Sequence, residues 1–180
     1  MRFAPLDPAR IHRLLVAAAL VAALWGVRAE LPAGFALHFL GAALMYLMFG
    51  APLALAGMAV AAAIACALGG GWGSWPAMWL ADGVVPVVCA FAAHRLIERY
   101  APPNLFVYVF GAGFAGAGLS MIASLAVHRL LGDGVDAFLA LGLLLGFGEA
   151  FLTGALVTLF VVYRHEWVCT FDDSRYLARR

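Results

Sequence analysis

The sequence predicts an all-α integral membrane protein, a polytopic bundle of about six transmembrane helices with both termini in the cytoplasm. The first observation is composition: of 180 residues, 66% are apolar and 12% are charged, against about a quarter charged in soluble domains. The second is that no Asp, Glu, Lys or Arg occurs between Leu31 and Ala81. That stretch is long enough for more than one crossing, because about 20 apolar residues span a bilayer. A soluble globular enzyme and a disordered tail are excluded.

Turn-forming glycine and proline residues divide the chain into six apolar segments. They cover residues 11–27, 34–49, 52–68, 78–93, 104–127 and 135–163. The second and fourth are short for a full crossing, so we expect them to tilt little or to re-enter the membrane. The expected organisation is one permease-like domain over residues 1–180, with a cytoplasmic amino terminus (1–10), a transmembrane bundle (11–163) and a cytoplasmic tail (164–180).

Arginine placement is the third observation and predicts the orientation. The chain has eleven arginines and no lysine. With the amino terminus inside, all but two of them fall in cytoplasmic segments, and only Arg28 and Arg129 lie outside. This bias agrees with the positive-inside rule. The missing lysine excludes a phosphate-binding P-loop, and a net charge of +1 gives no basic surface for nucleic acid.

The first segment has an alternative interpretation. A basic start, an apolar stretch over residues 14–25 and then Val27-Arg28-Ala29 resemble a cleavable signal peptide. The arginine at the small-residue site and the further crossings that follow favour a retained membrane span.

Small residues recur every fourth position in the sixth segment, as Gly142, Gly146, Ala150 and Gly154. Such a stripe lets helix backbones approach closely in lipid. It favours packing inside the bundle over a docking face for another subunit, and it predicts a tight bundle with the sixth helix at its centre.

Glu149 is the most informative polar residue, because it lies near the middle of the sixth segment. A carboxylate at that depth costs several kcal/mol and needs a partner. We weigh two roles equally: contact with a substrate, ion or proton, and a hydrogen-bonded lock between helices.

Three more polar side chains fall near the predicted outer face: His38, Asp82 and His128. They could converge on a pocket open to the outside, where imidazole and carboxylate together suit nickel, cobalt or zinc. A packing role is the alternative for any single histidine. Met45 is a weak further ligand, and Ser120 is a weak nucleophile with no histidine clearly placed to activate it. The three remaining histidines fall beside arginines at the predicted inner boundaries, and we interpret them as interfacial charge: His12, His94 and His165.

Two motifs resemble a known family. His38-Phe39-Leu40-Gly41-Ala42 resembles the histidine-led motif of the cobalt/nickel energy-coupling-factor permeases of the CbiM/NikM type. Gly146-Phe147-Gly148-Glu149-Ala150, followed by Val162-Tyr163-Arg164, is similar to that family's late glycine–glutamate helix and basic exit. The resemblance covers residues 34–168 and extends to a short six-helix branch of the superfamily.

The resemblance implies a non-enzymatic membrane subunit that captures nickel or cobalt from outside, with no permanently bound cofactor. Its partners would be a coupling transmembrane subunit and ATPase subunits. The predicted substrate-binding residues are His38 as the metal ligand, Asp82 as a second ligand, and Glu149 as an intramembrane polar element that supports the pocket or its gating. In the family an amino-terminal Met-His completes the site, whereas residue 2 here is Arg2. The alternative function is a non-transporting membrane scaffold or assembly factor, with the glycine stripe binding a partner helix.

Overall fold

The computed structural model describes residues 7–27, 29–30, 36–132 and 138–176. These ranges hold seven helices and one short antiparallel strand pair, in which Ala29 faces Leu37. In chain order the elements are α1 (Pro8–Gly26), β1 (Ala29–Glu30), β2 (Ala36–Leu37), α2 (Ala42–Phe49), α3 (Ala51–Gly69), α4 (Trp72–Tyr100), α5 (Leu105–Leu131), α6 (Phe138–Tyr163) and α7 (Asp173–Tyr176).

Five helices are long and apolar enough to cross a membrane: α1, α3, α4, α5 and α6. The prediction of an all-α polytopic membrane bundle is confirmed. The fourth crossing is long, whereas the sequence predicted a short one. α4 has 29 residues. It begins at Trp72, six residues before the predicted start, and it ends at Tyr100, beyond the predicted end at residue 93.

The second predicted crossing, residues 34–49, is not a continuous helix. Only Ala42–Phe49 is helical, and residues 38–41 form no helix. The His38 ring lies beside Trp25, near the end of α1. The carbonyl of Phe49 accepts a hydrogen bond from Arg10, near the start of α1. Residues 38–49 therefore run antiparallel to α1 along its length. The non-helical residues 38–41 span about 13 Å and the eight residues of α2 about 12 Å, and together they cover the length of α1.

Gly41 marks the junction between the two halves of this segment. Its φ is +68°, a left-handed value that favours glycine, and a Cβ there would lie 3.0 Å from Val21 Cγ2 of α1. Since a left-handed residue cannot continue a right-handed helix, α2 begins only at Ala42.

α2 lies at the centre of the bundle, which corrects the expectation that the sixth helix is central. All its side chains except Leu44 are buried, and it contacts α3, α4, α5 and α6. A helix that is apolar on every side is typical of a protein core or a membrane span, and α2, with eight residues, is too short to span a membrane. By contrast, α6 exposes a row of large apolar side chains along one side: Leu143, Leu144, Phe147, Phe151, Leu159 and Val162.

The glycine stripe of α6 packs against α5 inside the chain, as predicted. A Cβ at Gly146 would lie 3.1 Å from the carbonyl oxygen of Gly118 in α5, and one at Gly118 would lie 3.2 Å from the carbonyl oxygen of Gly146. Further along, a Cβ at Gly113 would lie 3.6 Å from the Cα of Gly154. The two backbones therefore approach closely over several turns.

The two ends of the bundle differ in chemistry. At one, which we call the arginine-rich end, Arg13 stacks on Trp167 at 5.8 Å and Arg175 Nη1 lies 3.4 Å from Glu98 Oε1. The start of α1, the end of α4 and the tail after α6 all meet there. The opposite end, which we call the histidine end, holds Trp25 and His38. Of the two arginines predicted at this end, Arg129 lies there among the described residues, and Arg28 lies outside the described residues.

The tail after α6 closes the arginine-rich end of α2. The backbone N–H groups of Cys169 and Thr170 donate to the carbonyls of Met48 and Leu47 at 3.2 and 3.3 Å. These are carbonyls of the last turn of α2, which have no partner within the helix.

In the exposed turn before α7, the hydrogen bond from the Ser174 hydroxyl lowers the pKa of the Asp172 carboxyl.

Candidate metal-binding site

Asp82 is the buried carboxylate at the histidine end, and its side chain is 5% exposed. It lies on α4 where the helix widens into a π-helical turn over Trp79–Val84. Such turns interrupt a regular helix and are frequent at functional sites. A buried carboxylate is costly unless it accepts hydrogen bonds. Its neighbours therefore define what this part of the bundle can do.

Two donors from α5 reach one oxygen of this carboxylate. The hydroxyl of Ser124 donates to Asp82 Oδ1 at 2.8 Å, and Nε2 of His128 lies 2.9 Å from the same oxygen. Ser124 and His128 are one helical turn apart and so share a face. α5 thus presents a hydroxyl and an imidazole together to the buried acid of α4.

The second oxygen of Asp82 faces His38. The distance from His38 Nε2 to Asp82 Oδ2 is 3.9 Å. The predicted convergence of His38, Asp82 and His128 is therefore confirmed, with one residue each from the segment before α2, from α4 and from α5. Their side chains are 13%, 5% and 19% exposed, so the cluster opens to the surface through its two imidazoles.

The His38 ring is oriented by its immediate surroundings. It packs on Trp25 with ring centroids 5.2 Å apart, and Nδ1 lies 3.2 Å from the carbonyl oxygen of Phe39. In the tautomer that carries its proton on Nδ1, this nitrogen donates to the carbonyl. Nε2 then presents its lone pair toward Asp82, as a metal ligand must.

Within residues 7–27, 36–132 and 138–176, no group of three His, Cys, Asp or Glu side chains is arranged to hold a metal ion as it stands. In the cluster around Asp82 the reason is visible in the distances. One carboxylate oxygen is engaged by Ser124 and His128, and His38 is 3.9 Å from the other. Two ligands that lie about 2.1 Å from one tetrahedral ion are about 3.4 Å apart, so His38 and Asp82 are spaced too widely for such an ion.

Glu149 lies apart from the cluster around Asp82, and its carboxylate binds backbone N–H groups. Its oxygens accept hydrogen bonds from the N–H groups of Leu40 at 2.9 Å and Gly41 at 2.7 Å. These donors belong to the interrupted segment, and α2 gives them no helical partner. The residue is 1% exposed, so the two bonds provide the partners that a carboxylate at this depth needs.

The same segment is fixed on its other sides. The indole N–H of Trp25 donates to the carbonyl of Leu40 at 3.2 Å. Phe39 packs on α6 where Gly148 leaves room, since a Cβ there would lie 2.8 Å from Phe39 Cε1. The glycine and glutamate of the α6 motif thus both hold the residues that follow His38. Non-helical backbone at this depth is tolerated because protein surrounds it.

Other sequence candidates lie away from the cluster. Met45 follows His38 by seven residues, but residues 38–41 are not helical, so this spacing does not place the two side by side. Met45 is buried against Gly57 of α3. The Ser120 hydroxyl lies 3.0 and 2.7 Å from the carbonyl oxygens of Pro86 and Gly116. The hydroxyl therefore bonds to helix backbone carbonyls.

The histidines of the arginine-rich end do not all form interfacial charge. His165 and His12 are exposed, as predicted. His94 is 1% exposed, and its Nδ1 lies 2.8 Å from the Tyr46 hydroxyl of α2. The sequence interpretation of His94 was therefore wrong. It faces inward because α2, and not lipid, lies against that side of α4.

Ser124 is the residue of the cluster that sequence reasoning missed. The available signal was its position four residues before His128 on an apolar helix, which puts both on one face. A serine in an apolar helix commonly bonds to its own backbone, so the spacing alone did not distinguish it.

Comparison with protein families identifies the chain. The family model CbiM, cobalt uptake substrate-specific transmembrane region, matches residues 3–167. No curated protein and no solved structure matches the chain. In bacteria such a multi-pass protein lies in the inner membrane. Transporter components of this kind are not an enzyme class. The chain belongs to the CbiM family and is a transmembrane component of cobalt uptake.

Proposed function

We propose that the chain captures a divalent cobalt or nickel ion at the histidine end and passes it to an energy-coupling-factor type ABC transporter. The observation that carries this proposal is the approach of two imidazoles, His38 and His128, to the buried carboxylate of Asp82. Ionisable groups inside an apolar bundle are expensive and face a functional cavity in most membrane proteins.

The chemistry of the cluster supports a transition metal as the substrate. Imidazole nitrogen suits cobalt, nickel and zinc, whereas calcium and magnesium prefer oxygen ligands. His38 is the proposed metal ligand, and Asp82 the second substrate ligand. The 3.9 Å between them must shorten by about 0.5 Å for both to contact one tetrahedral ion at about 2.1 Å.

Glu149 has a supporting role in this proposal. Its carboxylate binds the backbone of Leu40 and Gly41, two and three residues after His38. It therefore determines where His38 stands relative to Asp82 without contacting the ion. Partners that orient a metal ligand commonly change affinity 10- to 100-fold, as an order of magnitude.

Equilibrium dialysis of the purified full-length protein with Co²⁺ and Ni²⁺ tests the binding. We expect one ion per chain, and we expect His38→Ala to reduce the affinity by about 100-fold or more. His12→Ala removes an exposed imidazole from the opposite end of α1 and serves as the matched control. Equal affinity in wild type and His38→Ala would exclude His38 from the site.

The proposed partners are a coupling transmembrane subunit and a pair of ATPases. The chain has no lysine, so the ATP-binding P-loop must be supplied by another protein. Affinity purification from a native membrane tests this: recovery of an ATPase with a second membrane protein supports transport. Recovery of an unrelated complex without an ATPase would favour the scaffold alternative. That alternative has little support in the packing, because α5 of the same chain covers the glycine stripe.

A further inference from the structure

We infer that a cavity at the arginine-rich end binds the phosphoethanolamine headgroup of a phospholipid, with Arg13 as the ligand of the phosphate. This inference goes beyond the proposed function, because the cavity lies at the opposite end of α1 from His38 and needs no metal ion. It assigns to the chain a lipid partner at the boundary of the membrane.

The cavity has a volume of about 440 Å³ and lies where the first turns of α1, the end of α2 and the segment after α6 meet. This volume is within the range of small-ligand sites. α1 and α6 are both candidate membrane spans, over Pro8–Gly26 and Leu139–Tyr163. The cavity is lined by residues at the start of the first span and by residues that follow the second. It therefore lies where a bilayer places its headgroups.

The guanidinium of Arg13 is suited to hold a phosphate in this cavity. It stacks on the Trp167 ring at 5.8 Å, and its Nε donates to the carbonyl of Ala9 at 3.3 Å. Its two terminal nitrogens donate to no described residue, and no described carboxylate forms an ion pair with it. Through these nitrogens a guanidinium binds a phosphate with paired hydrogen bonds. Stacking on the indole fixes the plane of the group without using them. Arg10 also lines the cavity and adds positive charge.

Arg13 differs from other stacked arginines of this end in its access to the cavity. Three more guanidinium groups lie 5.7, 5.5 and 5.6 Å from the centroid of an aromatic ring: Arg95 on Phe91, Arg99 on Tyr100 and Arg175 on Tyr176. Arg95 and Arg175 both reach the carboxylate of Glu98. None of these three described arginines lines the cavity. Arg99 therefore offers the same side chain in the same stacking geometry without the cavity.

The cavity is also lined by carboxylates, which select among phosphate compounds. They are exposed: Glu166, Asp172 and Asp173. They oppose a phosphate that brings only negative charge, because like charges repel. They attract the ammonium group of phosphoethanolamine, whose N–H groups donate to carboxylate. A glycerol headgroup lacks this cation, and a choline headgroup lacks the N–H donors. The mixed charges of the lining therefore favour phosphoethanolamine over both.

A soluble phosphoester could offer the same headgroup chemistry, but the lining favours the lipid. Met48, Phe49 and Phe171 bring apolar surface to the cavity. The glycerol backbone and the first methylene groups of an acyl chain gain free energy by packing there, and a soluble phosphoester has no acyl chain. The ends of two candidate spans also place the cavity within reach of the bilayer.

The test is native mass spectrometry of the full-length protein, titrated in detergent with phospholipids that share their acyl chains and differ in headgroup. We expect phosphatidylethanolamine to bind about 10-fold more tightly than phosphatidylcholine or phosphatidylglycerol, since one charge-assisted pair distinguishes them. Arg13→Ala should lower the affinity for phosphatidylethanolamine by about 10-fold or more. Arg99→Ala is the matched control and should bind as wild type does. Asp172→Asn combined with Asp173→Asn should reduce the preference for phosphatidylethanolamine over phosphatidylglycerol.

Three results would overturn the inference. Equal affinity of wild type for the three phospholipids excludes recognition of this headgroup, even if Arg13→Ala fails to fold. Wild-type affinity for phosphatidylethanolamine in Arg13→Ala excludes Arg13 as its ligand. Equal affinity of wild type for glycerophosphoethanolamine and for phosphatidylethanolamine identifies a soluble phosphoester in place of the lipid. Each of these results leaves the proposed function intact, because cobalt binding at the histidine end tests that function separately.

Discussion

The carboxylate of Glu149 has a role that its position in the sequence only partly predicts. Its depth in an apolar helix predicted a required partner, and the partners are two backbone N–H groups more than a hundred residues away. The choice between a substrate contact and a helix lock could not be made from the sequence, because it depends on α2 beginning only after Gly41. The structure shows the carboxylate bonded to the backbone of Leu40 and Gly41, and the proposed effect on His38 depends on these bonds.

We predict that Glu149→Gln weakens cobalt binding by about 10-fold, because the carboxamide has one acceptor oxygen where two N–H groups need acceptors. The buried donor left without a partner should also destabilise the fold by about 1–3 kcal/mol. Dialysis and thermal unfolding in detergent measure the two effects. Glu166→Gln, an exposed carboxylate at the arginine-rich end, is the control. Wild-type affinity and stability in Glu149→Gln would contradict this role.

At the scale of elements, five of six predicted crossings form long helices, since length and apolarity determine them. The second was not predictable in this form. An apolar stretch does not reveal whether it is helical or extended when its hydrogen-bond partners come from other helices. Here those partners are Trp25 and Glu149. The same interruption explains why α2, and not α6, occupies the centre.

The contact between α5 and α6 gives a prediction about packing. Gly146→Ala places a methyl group 3.1 Å from the carbonyl oxygen of Gly118, which is backbone. The helices must separate, and we expect a loss of about 1–3 kcal/mol. Gly26→Ala adds the same methyl group where nothing lies within 4 Å and should leave stability unchanged. Thermal unfolding of both variants measures the difference, and equal melting temperatures would refute the close contact.

At the scale of the whole molecule, composition and arginine placement were sufficient to predict a membrane bundle with chemically distinct ends. The convergence of His38, Asp82 and His128 followed from topology, because crossings of alternating direction bring those positions to one end. The distances between them did not follow. They depend on the π-helical turn at Asp82 and on the non-helical residues after His38, which no local sequence pattern specified.

The orientation of the bundle is a further prediction, with the arginine-rich end in the cytoplasm. In a chain whose native cysteines, Cys66, Cys89 and Cys169, are replaced, a membrane-impermeant thiol reagent should label Leu131→Cys in intact cells. It should not label Glu166→Cys. Both positions are exposed, and both should react after permeabilisation, which controls for access. The reverse pattern in intact cells would invert the topology.

The central claim is that cobalt or nickel binds between His38 and Asp82. The most direct measurement is an anomalous difference map at the cobalt absorption edge, from crystals of the protein grown with Co²⁺. We predict one strong peak at about 2.1 Å from His38 Nε2 and from an oxygen of Asp82. A cobalt peak elsewhere in the bundle, with none between these two side chains, would contradict the claim.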